Sequence, residues 1–222
     1  MTQLLNDDIN KQIREVFDDG LKNPVHLMFF GSKENCDYCN ETRQLVEEVT
    51  AISDLLSIEI YDMDADVDLA ERYNVDKAPG LVIAAKEGNQ ITDFGVRLAG
   101  IPSGHEFTSL IQDIVLVSNR DSGLSPQIRE FLQELEKPIT LQVFVTPTCP
   151  YCPQAVVLAH QMAMESPMIQ AEMVEATEFP ELASRHGVSG VPQTTINDGK
   201  GHVVGAVPEG NMLAEIQRVL AG

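Results

Sequence analysis

No stretch of this sequence approaches the roughly 18 consecutive apolar residues that a membrane helix requires, and its opening, Met1 to Asn10 (MTQLLNDDIN), lacks the basic-then-apolar order of a secretory leader. The expectation is a cytoplasmic chain with no membrane partner. Basic residues are scarce: 15 against 34 acidic ones give a net charge of -19, which repels phosphate backbones and anionic lipid and argues against nucleic acid as a partner. Divided near Asn119, the chain carries -13 and -6, so neither half is a basic module. Lysine, at seven residues, shows none of the enrichment common in hyperthermophile proteins. The one glycine-rich run, Gly199 to Gly205 (GKGHVVG), has no strand-then-helix context and reads as a hairpin turn, so any NADPH or flavin chemistry must come from a partner. With 43% apolar and 22% charged residues the composition is that of a folded protein, and 222 residues suffice for two cores of about 110 residues each.

Cysteine is also rare, and its four copies fall as two pairs. Cys36-Asp37-Tyr38-Cys39 and Cys149-Pro150-Tyr151-Cys152 are both C-x-x-C, with first cysteines 113 residues apart. Pro79 and Pro192 keep that offset of 113, as do Val75 and Val188, and Gln12-Ile13-Arg14-Glu15 recurs as Gln127-Ile128-Arg129-Glu130. The turns Gly100 to Gly104 (GIPSG) and Gly205 to Gly210 (GAVPEG) are related by a shorter offset of 106, which implies about seven residues lost from a surface hairpin of the second half. The chain is a tandem repeat, with expected units 1–119 and 120–222.

Each half has the same expected order, α-β-α-β-α-β-β-α. An amphipathic helix (Ile9, Ile13, Val16 and Phe17; Ile128, Phe131, Leu132 and Leu135, after an N-cap Ser125 and Pro126) precedes a wholly apolar strand, Val25 to Phe30 or Ile139 to Val145. The C-x-x-C opens a helix, Cys36 to about Val49 or Cys149 to about Met164. A second strand (Leu56 to Tyr61, Ile169 to Val174), a short helix (Leu69 to Tyr73, Pro180 to His186), the spaced proline, a hairpin (Leu81 to Leu98, Thr194 to Val207) and a closing helix (Glu106 to Val117, Asn211 to Leu220) complete the unit. The fold class is α/β: two tandem units, each a central mixed sheet flanked by helices.

This order, with C-x-x-C at the mouth of the helix after a central strand and a proline entering the next, resembles the thioredoxin fold twice over. The tandem, with both motifs kept in register and with Val143 to Pro153 (VFVTPTCPYCP) and Gly100 to Phe107 (GIPSGHEF) closest, resembles the glutaredoxin-like protein disulfide oxidoreductases of thermophilic archaea and bacteria. The resemblance implies reductase, oxidase and isomerase activity on protein disulfides and a thioredoxin-reductase-like flavoprotein as electron source. It also implies cis peptide bonds at Pro79 and Pro192, with Ala78 and Val191 offering backbone groups to an extended substrate peptide.

The cysteines themselves carry the chemistry. A thiol at a helix N-terminus is acidified by free N–H groups and the helix dipole, which marks Cys36 and Cys149 as attacking thiols. A cysteine three positions on is one turn away and can close the ring, which makes Cys39 and Cys152 the resolving thiols. The residues between tune each pair. Pro150, expected in the first helical turn, stiffens the second loop, while the carboxylate of Asp37 disfavours the neighbouring thiolate and predicts a more reducing first site; Tyr38 and Tyr151 occupy the remaining position of each motif. The buried carboxylate that often serves the resolving thiol is missing from its usual place six residues before the first cysteine, where Phe30 and Val143 stand. Asp62 and Glu175, related by the repeat, are the candidates for that role.

Other readings of the same residues are weaker. Four thiolates could hold zinc, but the pairs lie more than 100 residues apart in separate units, and no metal is expected. Asp62, Asp64, Asp66 and Asp68 alternate like a calcium loop, yet Val67 and Tyr73 stand where glycine and glutamate are needed. The five histidines are scattered, His186 reads as a packing residue, and Met162, Met164 and Met168 read as core. The function expected is thiol-disulfide exchange on proteins, with the second site dominant. The alternatives are a dithiol electron carrier to a peroxidase and a peptide-binding chaperone with secondary thiol chemistry.

Overall fold

A computed structural model describes residues 3–34 and 36–222; Met1 and Thr2, part of the opening stretch read above for a leader, lie outside them. The first unit runs α1 (Asp7–Gly20), β1 (Val25–Gly31), α2 (Cys39–Thr50), β2 (Leu56–Asp62), α3 (Val67–Arg72), β3 (Gly80–Glu87), β4 (Gln90–Thr92), β5 (Val96–Ala99) and α4 (Glu106–Asn119). The second runs α5 (Pro126–Gln133), β6 (Ile139–Val145), α6 (Cys152–Glu165), β7 (Ile169–Glu175), α7 (Pro180–Arg185), β8 (Gln193–Ile196), β9 (Gly201–Val204) and α8 (Glu209–Ala221). The hairpin that differs is the expected one: β3 has eight residues and pairs with both β4 and β5, whereas β8 has four and pairs with β9.

Local sequence accounts for the elements. Asn6 caps α1 by accepting from the Ile9 N–H at 2.9 Å, and Ser125 with Pro126 opens α5. Along β1, Leu27 and Phe29 face one side of the sheet while Met28 and Phe30 face the other, and both sets are buried, as a central strand demands. Three local expectations change. Both motif helices begin at the second cysteine rather than the first, so Cys36 and Cys149 lie in the turn leading into the helix, and the first-turn proline of α6 is Pro153 rather than Pro150. Val16 is exposed, because Ile13 and Phe17 already supply the buried stripe of α1. Met162 is buried, but Met168 is exposed just before β7.

The expectation of two separate cores is also overturned. Strands β5 and β7 pair in parallel, Val96 opposite Ala171 through Ala99 opposite Val174, and join the units into one nine-stranded sheet of order β2-β1-β3-β5-β7-β6-β8-β9, with β4 paired to β3. Helix α4 packs on α6, and one apolar cluster runs beneath α1, α2, α4, α5, α6 and α8 across both units. On the opposite face α3 and α7 each cover a small core of their own, around Phe30 and around Phe144, where the ring of His186 packs at 5.6 Å. Polar links reinforce the seam: Lys77 Nζ lies 2.9 Å from Glu172 Oε2, and His160 of α6 reaches the carbonyl of the buried Arg97 in β5.

Candidate functional site

Strand directions bring both motifs to one end of the sheet. From the registers, a row of neighbours crosses that end: Asp62 (β2), Gly31 (β1), Pro79 before β3, Gly100 after β5, Glu175 (β7), Val145 (β6), Pro192 before β8 and Gly205 after β9. The first motif follows Gly31 and the second follows Val145. Four strand spacings of about 4.8 Å separate these strands, roughly 19 Å.

Both pairs are joined as disulfides, Cys36 to Cys39 and Cys149 to Cys152, each with Cα atoms 5.5 Å apart. In each, the second cysteine is the first helical residue and is buried, Cys39 at 8% and Cys152 at 0% exposure. Cys36 is partly buried and Cys149 buried, while Tyr38 and Tyr151 stand exposed beside them. The Ser32 N–H points at Cys39 Sγ at 3.4 Å, and the Cys149 N–H bonds the Thr146 carbonyl at 3.1 Å.

The prolines stand one strand away from the motifs. The Ala78-Pro79 and Val191-Pro192 peptide bonds are both cis. Their carbonyls are held alike: Pro79 accepts from the Gly100 N–H at 2.9 Å and Pro192 from the Gly205 N–H at 2.8 Å. Among the described residues neither Ala78 nor Val191 uses its own N–H or C=O in a hydrogen bond, so both are free for an added strand. The structure therefore assembles Cys36, Cys39, Ala78 and Pro79 into one constellation and Cys149, Cys152, Val191 and Pro192 into a second.

Comparison with known proteins agrees with this geometry. Residues 139–218 match the thioredoxin domain family. A protein disulfide oxidoreductase from Aeropyrum pernix superposes with a TM-score of 0.85 at 32% identity, over 94% of this chain and 90% of that one. The chain belongs to the tandem thioredoxin-fold protein disulfide oxidoreductases. It is a thiol-disulfide oxidoreductase carrying two C-x-x-C centres. The alkylhydroperoxide reductase AhpF of Enterococcus faecalis also superposes, with a TM-score of 0.85 at 25% identity over 96% of this chain and 99% of that one. In sequence, the alkyl hydroperoxide reductase of the same kind in Staphylococcus aureus is 27% identical over 194 residues, 87% of this chain. The chain spans 34% of the length of that relative.

Two carboxylates beside the oxidoreductase's centres escaped the reading of its sequence. Glu106 opens α4 and is wholly buried. The turn before it is pinned to the second motif, since the His105 N–H bonds the Pro147 carbonyl at 2.9 Å. Because β5, β6 and β7 are parallel, α4 and α6 both start at the active end, and the Asp113–His160 contact, seven and eight residues into the two helices, sets Glu106 and Cys152 at corresponding heights. Its Oε2 accepts from the Ser109 hydroxyl at 2.6 Å, and its Oε1 has no partner. Burial pushes its pKa up to about 7, with the Ser109 bond opposing and the charge of Asp113 adding to the rise. Asp113, also raised by burial, lies 2.8 Å from His160 Nδ1 of α6, and the other ring nitrogen of His160 reaches the Arg97 carbonyl at 3.1 Å.

The second is Glu178, in the loop after β7. Its Oε1 accepts from the Ile101 N–H at 2.6 Å, and burial pushes its pKa up to about 7, with the charges of Glu175 and Asp37 adding to the rise. The two acceptors expected from the repeat differ. Glu175 is buried with Oε1 unpartnered, whereas Asp62 is partly exposed, 3.0 Å from Lys33 Nζ, and held below the usual carboxylate range first by that lysine. The aspartate run around Asp62 closes on itself, with the Asp62 N–H bonding Asp66 and the Asp64 N–H bonding Asp62, and no metal cluster occurs among the described residues. Each of Glu106 and Glu178 belongs to one unit and lies on the side that faces the other, and no signal in either repeat alone points to them.

Proposed function

We propose that this oxidoreductase reduces, forms or isomerises disulfides in protein substrates, working chiefly through the second site. The observation that carries the reading is the placement of each dithiol one strand from a cis-proline whose preceding residue offers free backbone groups. A substrate segment pairs with Val191, which brings its disulfide to the Cys149 thiolate. Cys149 attacks one substrate sulfur, the S–S bond breaks, and the other substrate sulfur leaves as a thiolate. Cys152 then gives its proton to Glu106, attacks Cys149 Sγ, and releases the second substrate thiol, leaving the Cys149–Cys152 disulfide. Two electrons have passed to the substrate, and they are restored by a thioredoxin-reductase-like flavoprotein using NADPH. Cys36, Cys39, Ala78 and Pro79 form a second centre of the same type, tuned by Asp37 and Tyr38 as Pro150 and Tyr151 tune the Cys149 centre. Units 1–119 and 120–222 each hold one centre, and the reaction belongs in the cytoplasm. No helix among the described residues is long and apolar enough to cross a membrane.

The test is reduction of a protein disulfide by the wild type, by Cys36→Ser/Cys39→Ser and by Cys149→Ser/Cys152→Ser. Loss confined to the second variant supports the second site as the working centre, and an inert wild type overturns the reading. A second reading, electron delivery to a peroxidase, is favoured by the likeness of nearly the whole chain to part of the alkyl hydroperoxide reductase AhpF. Peroxide turnover that requires this chain together with a peroxidase and a flavoprotein supports it.

A further inference from the structure

The two centres share one sheet end but not one electrostatic setting. Gly100 and Gly205 are counterparts, each with a left-handed φ (+93° and +87°) and each holding the carbonyl of its unit's cis-proline. Gly205 follows the last strand of the sheet and has nothing within 4 Å of where a Cβ would lie. Gly100 abuts the second unit: a Cβ there would lie 2.6 Å from Glu175 Cβ and 2.8 Å from Glu178 Oε1. The next N–H, of Ile101, is bonded by Glu178. The loop after β7 thus leans on the turn that supports Pro79, and its carboxylate comes within electrostatic reach of Asp37 in the first motif.

We propose that Glu178, a residue of the second unit, is a positioning residue of the first dithiol centre, holding the turn behind Pro79 and, when ionised, disfavouring the Cys36 thiolate together with Asp37. The inference rests on the reading of Cys36 and Cys39 as a working dithiol centre. Among the described residues, the charged groups facing Glu178 are Glu175 at the end of β7 and Asp37 from the first motif; from the 100–101 turn the Ile101 N–H donates to it. No cation is among them, so the neighbours oppose ionisation of Glu178. The carboxylate is then largely neutral in weak acid and charged above neutrality, and only the charged form disfavours a thiolate nearby. By reciprocity, a Cys36 thiolate opposes ionisation of Glu178. Among the described residues no strand lies beyond β9, so no loop leans on Gly205 as the loop after β7 leans on Gly100.

The experiment uses the full chain with Cys36 as its sole thiol (Cys39→Ser, Cys149→Ser, Cys152→Ser), with and without Glu178→Gln, and follows alkylation of Cys36 by iodoacetamide from pH 5 to 9. Glutamine keeps an acceptor for the Ile101 N–H and removes only the charge. The two rates are expected to coincide near pH 5.5, where Glu178 is neutral, and to differ by about twofold or more near pH 7.5 with the Gln variant faster, as one unit charge across a partly solvated gap produces. Superimposable profiles overturn the proposal. Asp37→Asn provides a second arm that leaves the second unit untouched: with one opposing charge gone, Glu178 ionises earlier, so the pH at which its drag on Cys36 sets in moves down. An onset that does not move also overturns the proposal. A glutathione titration of the four-cysteine protein separates this from the underlying reading. If the Cys36–Cys39 disulfide never forms or opens, the dithiol reading fails, while the alkylation profiles still decide the role of Glu178.

Discussion

Replacing Glu106 by glutamine tests the buried carboxylate of the α4–α6 seam through stability and through chemistry. In the folded protein its pKa is pushed up to about 7, chiefly by burial, against roughly 4.3 in an unfolded chain. The native state therefore holds a proton that the unfolded state has released across that interval. Unfolding free energy falls with pH wherever the native state binds more protons, by about 1.4 kcal/mol per pH unit per proton. Glu106 thus contributes no penalty below about pH 4 and a full one above about pH 8, of roughly 4 kcal/mol, most of it gained between about pH 4.5 and 8. Urea unfolding of the oxidised wild type and of Glu106→Gln at pH 4.5 and pH 8 isolates this group, since every other titration is common to both. The variant is expected to gain about 3 kcal/mol relative to wild type between the two pH values. A difference between the proteins that stays constant with pH refutes the buried-carboxylate argument. The same substitution should slow release of substrate from Cys149, because Cys152 loses its proton acceptor. A mixed disulfide trapped longer by Glu106→Gln, with alkylation of Cys149 unchanged, is the kinetic signature.

The first centre should be the more reducing of the two, since Asp37 and Glu178 both disfavour its thiolate; glutathione titration with mass spectrometry of each disulfide checks this, and equal potentials, or a reversed order by more than about 30 mV, refute it. Gly100→Ala forces a Cβ against Glu175 at a φ of +93° and should cost about 1–3 kcal/mol in thermal stability while impairing the first centre more than the second. Lys77→Met leaves Glu172 buried without its cation and should destabilise by about 3 kcal/mol in urea unfolding. Ile114→Ala, wholly buried on α4, should cost about 2–5 kcal/mol and unfold both units in one transition, because they share one core; two separated transitions would contradict the continuous cluster.

Much of this was legible before any coordinate. The constant offset between Cys36 and Cys149 and between Pro79 and Pro192 exposed the repeat, and the apolar runs of β1 and β6 marked central strands. The shortened hairpin of the second unit was also correctly placed, because an offset change between two landmarks must fall in the segment between them. What misled was local. The motifs suggest helices starting at Cys36 and Cys149, but a turn occupies those positions and the α-helices begin three residues later. Asp62 and Glu175 were related by sequence position, yet one is paired with a surface lysine and the other is buried beside β6.

The chain's order of residues by itself determined two thioredoxin-fold units, their four reactive sulfurs and their two cis-proline turns, because each depends on spacing within about 45 residues and on short-range periodicity. The tertiary structure alone decided how the units meet. Four residues of β5 carry no mark that distinguishes pairing with β3 alone from pairing with β7 as well. Once that parallel seam forms, Glu106 of the first unit is buried beside the second centre and Glu178 of the second comes to rest behind the first. Burial and the field of neighbouring charges set the protonation of these groups, and both are properties of the assembled seam rather than of any segment of sequence.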